Sequence, residues 1–160
     1  MEGISASIWL NVSKNSVTPP SVDSNSVLVI VNFPETFIIY IRNMEVYVEI
    51  YTYIATKFSV DLLVNSWKNL AFSFNEREFT LKIYINGLEI QSKWVMISMS
   101  GTPLISIDYG VITIGAPENY FTPDKLHVKD FIIWNRALFP EEAHKFIGLG
   151  GSNNCISFAC

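Results

Sequence analysis

The sequence predicts an all-β chain: two packed antiparallel sheets and one short helix near the C-terminus. Three observations carry this expectation. Apolar residues recur with period two in roughly ten short, closely spaced runs, as half-buried strands require. Turn residues punctuate those runs, and Asn86-Gly87 between two alternating segments is the strongest hairpin signal in the chain. No strand–helix–strand alternation is present, which argues against a parallel sheet.

The elements follow in order. Residues 4–12 alternate, with Ile4, Ala6, Ile8 and Leu10 on one face and Ser5, Ser7, Trp9 and Asn11 on the other. Residues 13–26 form a polar loop broken by Pro19-Pro20, and Asn11-Val12-Ser13 at its start is an N-glycosylation sequon. Val27–Val31 reads as a short apolar strand. Thr36–Ile41 and Met44–Ala55 read as a hairpin with Arg42-Asn43 at its tip. In its second arm Val46, Val48, Ile50 and Ile54 face the core, while Glu45, Tyr47, Glu49, Tyr51 and Tyr53 face the other way. Lys57–Ser66 holds one more strand and a turn. Leu70, Phe72 and Phe74 alternate with Ala71 and Ser73, and the charged tip 75–78 leads into the alternating run 79–86. Residues 88–99 return through Trp94. Val111–Gly115 is a strand stopped by Ala116-Pro117. Val128–Asn135 carries large apolar groups on both faces and is expected to be buried over most of its length. Pro140 suits the first turn of a helix, Glu141 and Glu142 suit its positive end, and Gly148 and Gly150-Gly151 offer a stop. The expected core includes Trp67, Leu70, Phe72, Leu81, Ile83, Ile114, Ile133 and Trp134.

Two motifs resemble a known family. "ITIGAPENYF" followed by "DFIIWNRALFPEE", and upstream "NSWKNLAFSF" with "FTLKIYINGLEI", are similar to the laminin-G-like and pentraxin-like domains of the concanavalin A-like jelly-roll superfamily. The match covers roughly residues 65–147, in the family order. It implies a two-sheet jelly-roll β-sandwich, with 1–148 as the domain and 149–160 as a tail. Family members begin with one more strand before "SASIWL", so the chain is expected to be a piece of a larger secreted or cell-surface protein with flanking domains. Some positions depart from the pattern: Leu126 replaces a Gly, Lys129 the strand-initial Asp, and Phe139 the capping Ser or Thr, so the helix is expected to be less well capped than usual.

Bulk composition narrows the function classes. The chain has 160 residues, 49% hydrophobic and only 16% charged, which suits one packed domain. The balance of 11 basic and 15 acidic residues gives a net charge of −4 with no basic block. Nucleic-acid binding and docking to anionic membranes are therefore not expected. The most apolar stretch, Val27–Ile41, is interrupted by Asn32, Pro34 and Glu35, so no membrane insertion is expected. Met1–Ser5 lacks the basic start of a secretory signal. Cys155 and Cys160 lie in no metal-binding motif; free thiols, a local bridge and pairing outside this segment all stay open.

Few residues suggest chemistry. His127 and His144 are far apart and without convergent partners, which favours structural roles. Calcium is the cofactor the resemblance implies, and the loop residues Asp23, Asp108, Glu118, Asn119 and Asp124 offer hard oxygens. No run has EF-hand spacing, so solvated loop acids are the plainer reading. The face Glu45, Tyr47, Glu49, Tyr51, Tyr53 is the best ligand-binding candidate, weighed against an ordinary exposed strand rich in Tyr. Tyrosine supplies stacking area and a hydroxyl, and carboxylates accept from hydroxyl-bearing ligands. Hydrolases of the superfamily place three acids at alternate positions of one strand; here Tyr47 stands in the middle. Glu45 and Glu49 lie about 13 Å apart along an extended strand at roughly 3.3 Å per residue. Glycoside hydrolysis uses carboxyls about 5–5.5 Å or about 6.5–9.5 Å apart. The expected function is a non-catalytic extracellular recognition module for a glycan or protein, with a glycoside hydrolase and a structural spacer as the rivals.

Overall fold

A computed structural model describes residues 3–13, 27–50, 54–95, 111–115 and 126–149. Among the described residues the chain is mostly strands in two five-stranded antiparallel sheets, with one short helix, the make-up of a jelly-roll β-sandwich. The strands are β1 (Gly3–Val12), β2 (Leu28–Phe33), β3 (Phe37–Arg42), β4 (Glu45–Ile50), β5 (Ile54–Ser59), β6 (Lys68–Asn75), β7 (Thr80–Ile85), β8 (Leu88–Trp94), β9 (Thr113–Ile114) and β10 (Leu126–Trp134). A 3₁₀ turn spans Val60–Leu62, and helix α1 spans Pro140–Leu149.

The first sheet has the order β10-β1-β6-β7-β8. Its register sets Ile4 beside Phe74, Ala6 beside Phe72 and Ile8 beside Leu70, and then Phe72 beside Ile83 and Phe74 beside Leu81. All of these apolar side chains are buried, and they form the core face of this sheet. Asn86 and Gly87 adopt left-handed φ values of 49° and 73°, as a tight two-residue hairpin needs.

Part of the opposite face of that sheet is also buried. Ser5, Ser7, Asn69 and Ser73 are each 3% exposed or less. The segment before the helix covers two of them: Ser5 Oγ donates to Arg136 O at 2.8 Å, and Ser73 Oγ donates to Leu138 O at 3.2 Å. Leu138 N in turn donates to both hydroxyls, at 3.1 and 2.8 Å. Ala143 of α1 packs with Ala71 and Tyr84 on this side. Phe139 cannot accept at the helix start through its side chain, but Glu142 accepts from Phe139 N at 2.9 Å, which is half of a capping box. Arg136 grips the same carboxylate with two bonds, at 2.7 and 2.6 Å. That grip and the Phe139 amide lower the Glu142 pKa to about 2.

The second sheet has the order β5-β4-β3-β2-β9. Val46, Val48, Ile50, Ile39, Ile41 and Ile30 are buried. The β3–β4 tip is Asn43-Met44, with φ 51° and 63°, one residue later than expected.

Several expectations need correction. The arm expected over Met44–Ala55 is two strands: β4 ends at Ile50, and Ile54 pairs back to it at the start of β5. Of the expected core, Leu70, Phe72, Leu81 and Ile83 are fully buried, but Trp67 is 40% exposed. Trp67 precedes β6 instead of lying inside it. Ile114, Ile133 and Trp134 are half-buried. Among the described residues β10 lies at the edge of its sheet, and Ile132 on it is 43% exposed. Its expected alternation is interrupted at Asp130, whose φ is +50°.

Candidate functional site

The candidate face lies on β3, β4 and β5. Because side chains alternate, burying Val46 and Val48 leaves Glu45, Tyr47 and Glu49 on the other side, all half-buried. The hairpin register places Arg42 opposite Glu45, Tyr40 opposite Tyr47 and Ile38 opposite Glu49. On the other flank Lys57 lies opposite Tyr47, and Ser59 opposite Glu45. Cross-strand and diagonal neighbours on one face are within reach of long side chains.

Those neighbours form one connected group. The rings of Tyr40 and Tyr47 stack with centroids 4.9 Å apart and planes 2° from parallel. Tyr40 Oη donates to Glu49 Oε1 at 2.6 Å. Tyr47 Oη donates to Glu45 Oε2 at 3.0 Å, and Lys57 Nζ donates to the same oxygen at 2.8 Å. The Arg42 guanidinium and the Lys57 ammonium lie 5.9 and 6.0 Å from the Tyr47 ring centre, within cation–π reach.

The electrostatics follow from these contacts. The Lys57 ammonium, and then the Tyr47 hydroxyl, hold the Glu45 carboxyl below its ordinary pKa, and the Glu45 charge raises Lys57 in return. Burial, and then the hydrogen bond to Glu49, push the Tyr40 phenol up to about 12. At neutral pH this face therefore carries an ionised Glu45, a charged Lys57 and a protonated Tyr40. It offers acceptor oxygens, N–H donors and aromatic edges, with the stacked faces of Tyr40 and Tyr47 turned to each other.

The structure brings Glu45, Tyr47 and Glu49 together as one face of one strand. Tyr51 and Tyr53 lie outside the described residues. So do Asp23, Asp108, Glu118, Asn119, Asp124, Cys155 and Cys160. Among the described residues no group of three or more His, Cys, Asp or Glu could hold a metal ion. No helix among them is long and apolar enough to cross a membrane. Sequence reasoning missed Tyr40, Arg42 and Lys57. The signal for the first two was present, because pairing the arms of a hairpin about its tip places Tyr40 beside Tyr47. Lys57 was hidden because its strand was expected to begin later.

A laminin-G family model, described as the concanavalin A-like lectin/glucanases superfamily, matches residues 2–144. The chain belongs to this superfamily. Among solved structures it is similar to the botulinum neurotoxin serotype D binding domain, with TM-score 0.70 and 19% identity over 92% of this chain and 37% of that one. It is similar to the serotype D ligand-binding domain in complex with N-acetylneuraminic acid, with TM-score 0.70 and 20% identity over 92% of this chain and 36% of that one. The receptor-binding domain of botulinum neurotoxin D gives TM-score 0.70 and 22% identity, again over 92% and 37%. At these identities the likeness concerns the fold, and the chain spans little more than a third of those domains. Among curated proteins nothing matches the chain.

Proposed function

We propose that this chain is a non-catalytic recognition module that binds a glycan or a protein through the face of Glu45, Tyr47 and Glu49. Tyr40 and Lys57 belong to the same surface, and Tyr51 and Tyr53 would continue it. The supporting observation is the mutual fixing of these side chains: a stacked tyrosine pair and an ion pair, joined by hydrogen bonds. Side chains already held in place lose little freedom on binding, so a polar ligand meets a preorganised surface. The superfamily and its solved binding domains are consistent with this reading. It includes the context of a larger secreted or cell-surface protein.

The same geometry argues for binding over cleavage. A glycosidase general acid has a raised pKa. Glu45 is instead lowered by Lys57 and Tyr47, so it stays ionised and holds no proton to give. The decisive comparison is glycan and partner binding by wild type and by Tyr40→Ala/Tyr47→Ala, with β-glucan hydrolysis measured for wild type and Glu45→Gln. The expected result is binding that weakens tenfold or more in the double variant, with no turnover. Turnover lost in Glu45→Gln would make the chain a hydrolase. Binding unchanged in the double variant would move the site to the loops around Asp108, Glu118 and Asp124.

A further inference from the structure

The first sheet carries a second, unrelated cluster on its face opposite the Phe72 core. Trp9 on β1, Trp67 just before β6 and Lys129 on β10 converge there. Lys129 Nζ lies 4.6 Å from the Trp67 ring centre and 5.6 Å from that of Trp9, so one ammonium serves two indoles. Trp67 is 40% exposed and Lys129 is exposed, while Trp9 is half-buried. The cluster is therefore open to solvent.

Three features mark it as more than a packing contact. Among the described residues Lys129 forms no ion pair with a carboxylate: the ion pairs there are Lys57–Glu45, Lys82–Glu89 and Arg136–Glu142. In a chain of net charge −4 this is an exposed cation with three N–H donors. Next, the alternation of β10 breaks immediately after it, at Asp130 with φ +50°, an uncommon conformation for a residue other than glycine. Finally, the floor is tied by hydrogen bonds. Asn69 lies opposite Trp9, its Nδ2 donates to Ser7 Oγ at 2.8 Å, and its backbone N donates to Asn86 Oδ1 at 2.9 Å. Asn69 Oδ1 is buried and has no protein partner.

We propose that Trp9, Trp67 and Lys129 form a binding site for a pyranose ring bearing a carboxylate. The flat, exposed indole of Trp67 suits the apolar face of a sugar ring. The Lys129 ammonium supplies a charge-assisted partner for the carboxylate. Two rings and one charge match the footprint of a single sugar unit. A peptide would need a longer run of backbone partners. This site is independent of the Tyr40/Tyr47 face and takes a ligand of defined charge.

Titration calorimetry with a glucuronate-containing tetrasaccharide, its carboxyl-reduced neutral counterpart and sialyllactose tests it; the third probe distinguishes a sialic acid from a uronic acid. Wild type is expected to bind at least one acidic probe tenfold or more tighter than the neutral one, and the preference is expected to shrink with added salt. Lys129→Gln is expected to abolish the preference while leaving weak binding, and Lys129→Arg to keep it. Trp67→Ala is expected to weaken acidic and neutral probes alike, with circular dichroism and melting confirming that each variant is folded. Equal binding of acidic and neutral sugars, unchanged binding in Lys129→Gln, no binding of any sugar, or binding of an acidic peptide in their place would overturn the inference. Loss of the acidic sugar in Tyr40→Ala/Tyr47→Ala, with Trp67→Ala silent, would overturn it too, and would leave the β4 face as the glycan site.

Discussion

The two buried serines of the first sheet give a sharp quantitative expectation. Ser5 and Ser73 share one backbone amide, Leu138 N, and each also donates to a carbonyl of the same segment. Ser73→Ala removes the donor to Leu138 O, but the Leu138 amide keeps Ser5. Ser5→Ala removes the donor to Arg136 O, but the amide keeps Ser73. Each single variant therefore loses about one net hydrogen bond, worth about 1 kcal/mol. The double variant loses both and also leaves a buried amide without a side-chain acceptor, which adds about 1–3 kcal/mol. The cycle should thus show a double loss of about 3–5 kcal/mol against a sum of singles near about 2. Urea unfolding followed by circular dichroism measures all four proteins, and the transition must keep its slope for the energies to be compared. Strict additivity would mean that the Leu138 amide is not shared. Single variants within about 0.5 kcal/mol of wild type, as at an ordinary solvated surface, would refute the covering of this face by the 136–138 segment.

Further expectations follow from other contacts. Glu142 titrates in the folded chain at about 2, below the ordinary carboxylate value of 4.5, so its pairing stabilises fully above 4.5 and is lost as pH falls toward 2. Acid unfolding of Glu142→Gln should therefore show a shallower pH dependence in that window, and an unchanged profile would contradict the Arg136 grip. Phe72→Ala, at a fully buried position, should cost about 3–5 kcal/mol, while Trp67→Ala should cost much less; equal melting shifts would contradict the exposure of Trp67. Tyr84 buries a hydroxyl with no protein partner, so Tyr84→Phe should be neutral or stabilise by up to about 1 kcal/mol in thermal melting. A loss of more than about 1 kcal/mol would reveal a bound water beneath α1.

Much of the fold is legible in the sequence because strands write their facing directly into alternation. Val46 and Val48 inside, with Glu45, Tyr47 and Glu49 outside, is the observed arrangement. So is the turn at Asn86-Gly87, where a left-handed pair is the local solution to a tight hairpin. Alternation leaves out coverage by the rest of the chain. Alternation sets Ser5, Ser7 and Ser73 opposite the apolar residues, but period two does not report coverage; here the 136–138 segment bonds Ser5 and Ser73, and Asn69 Nδ2 donates to Ser7 Oγ. Trp67 and Trp134 read as core because they are large and apolar. Yet, among the described residues, Trp67 precedes its strand and Trp134 ends an edge strand, places that burial does not fully reach.

The candidate site shows where such reading stops. Glu45, Tyr47 and Glu49 follow from one strand, but what they do follows from Tyr40 and Lys57, on strands either side. Without the register, Glu45 and Glu49 are two similar acids on one face. With it they differ: Glu45 is held ionised by Lys57 and Tyr47, and Glu49 accepts from a phenol pushed up to about 12. The two carboxylates are tied into separate hydrogen-bonded partnerships. Cross-strand geometry, which alternation along one strand does not encode, therefore sets the partners of each acid on this face. It also turns Trp9, Trp67 and Lys129, more than a hundred residues apart at the extremes, into one cluster.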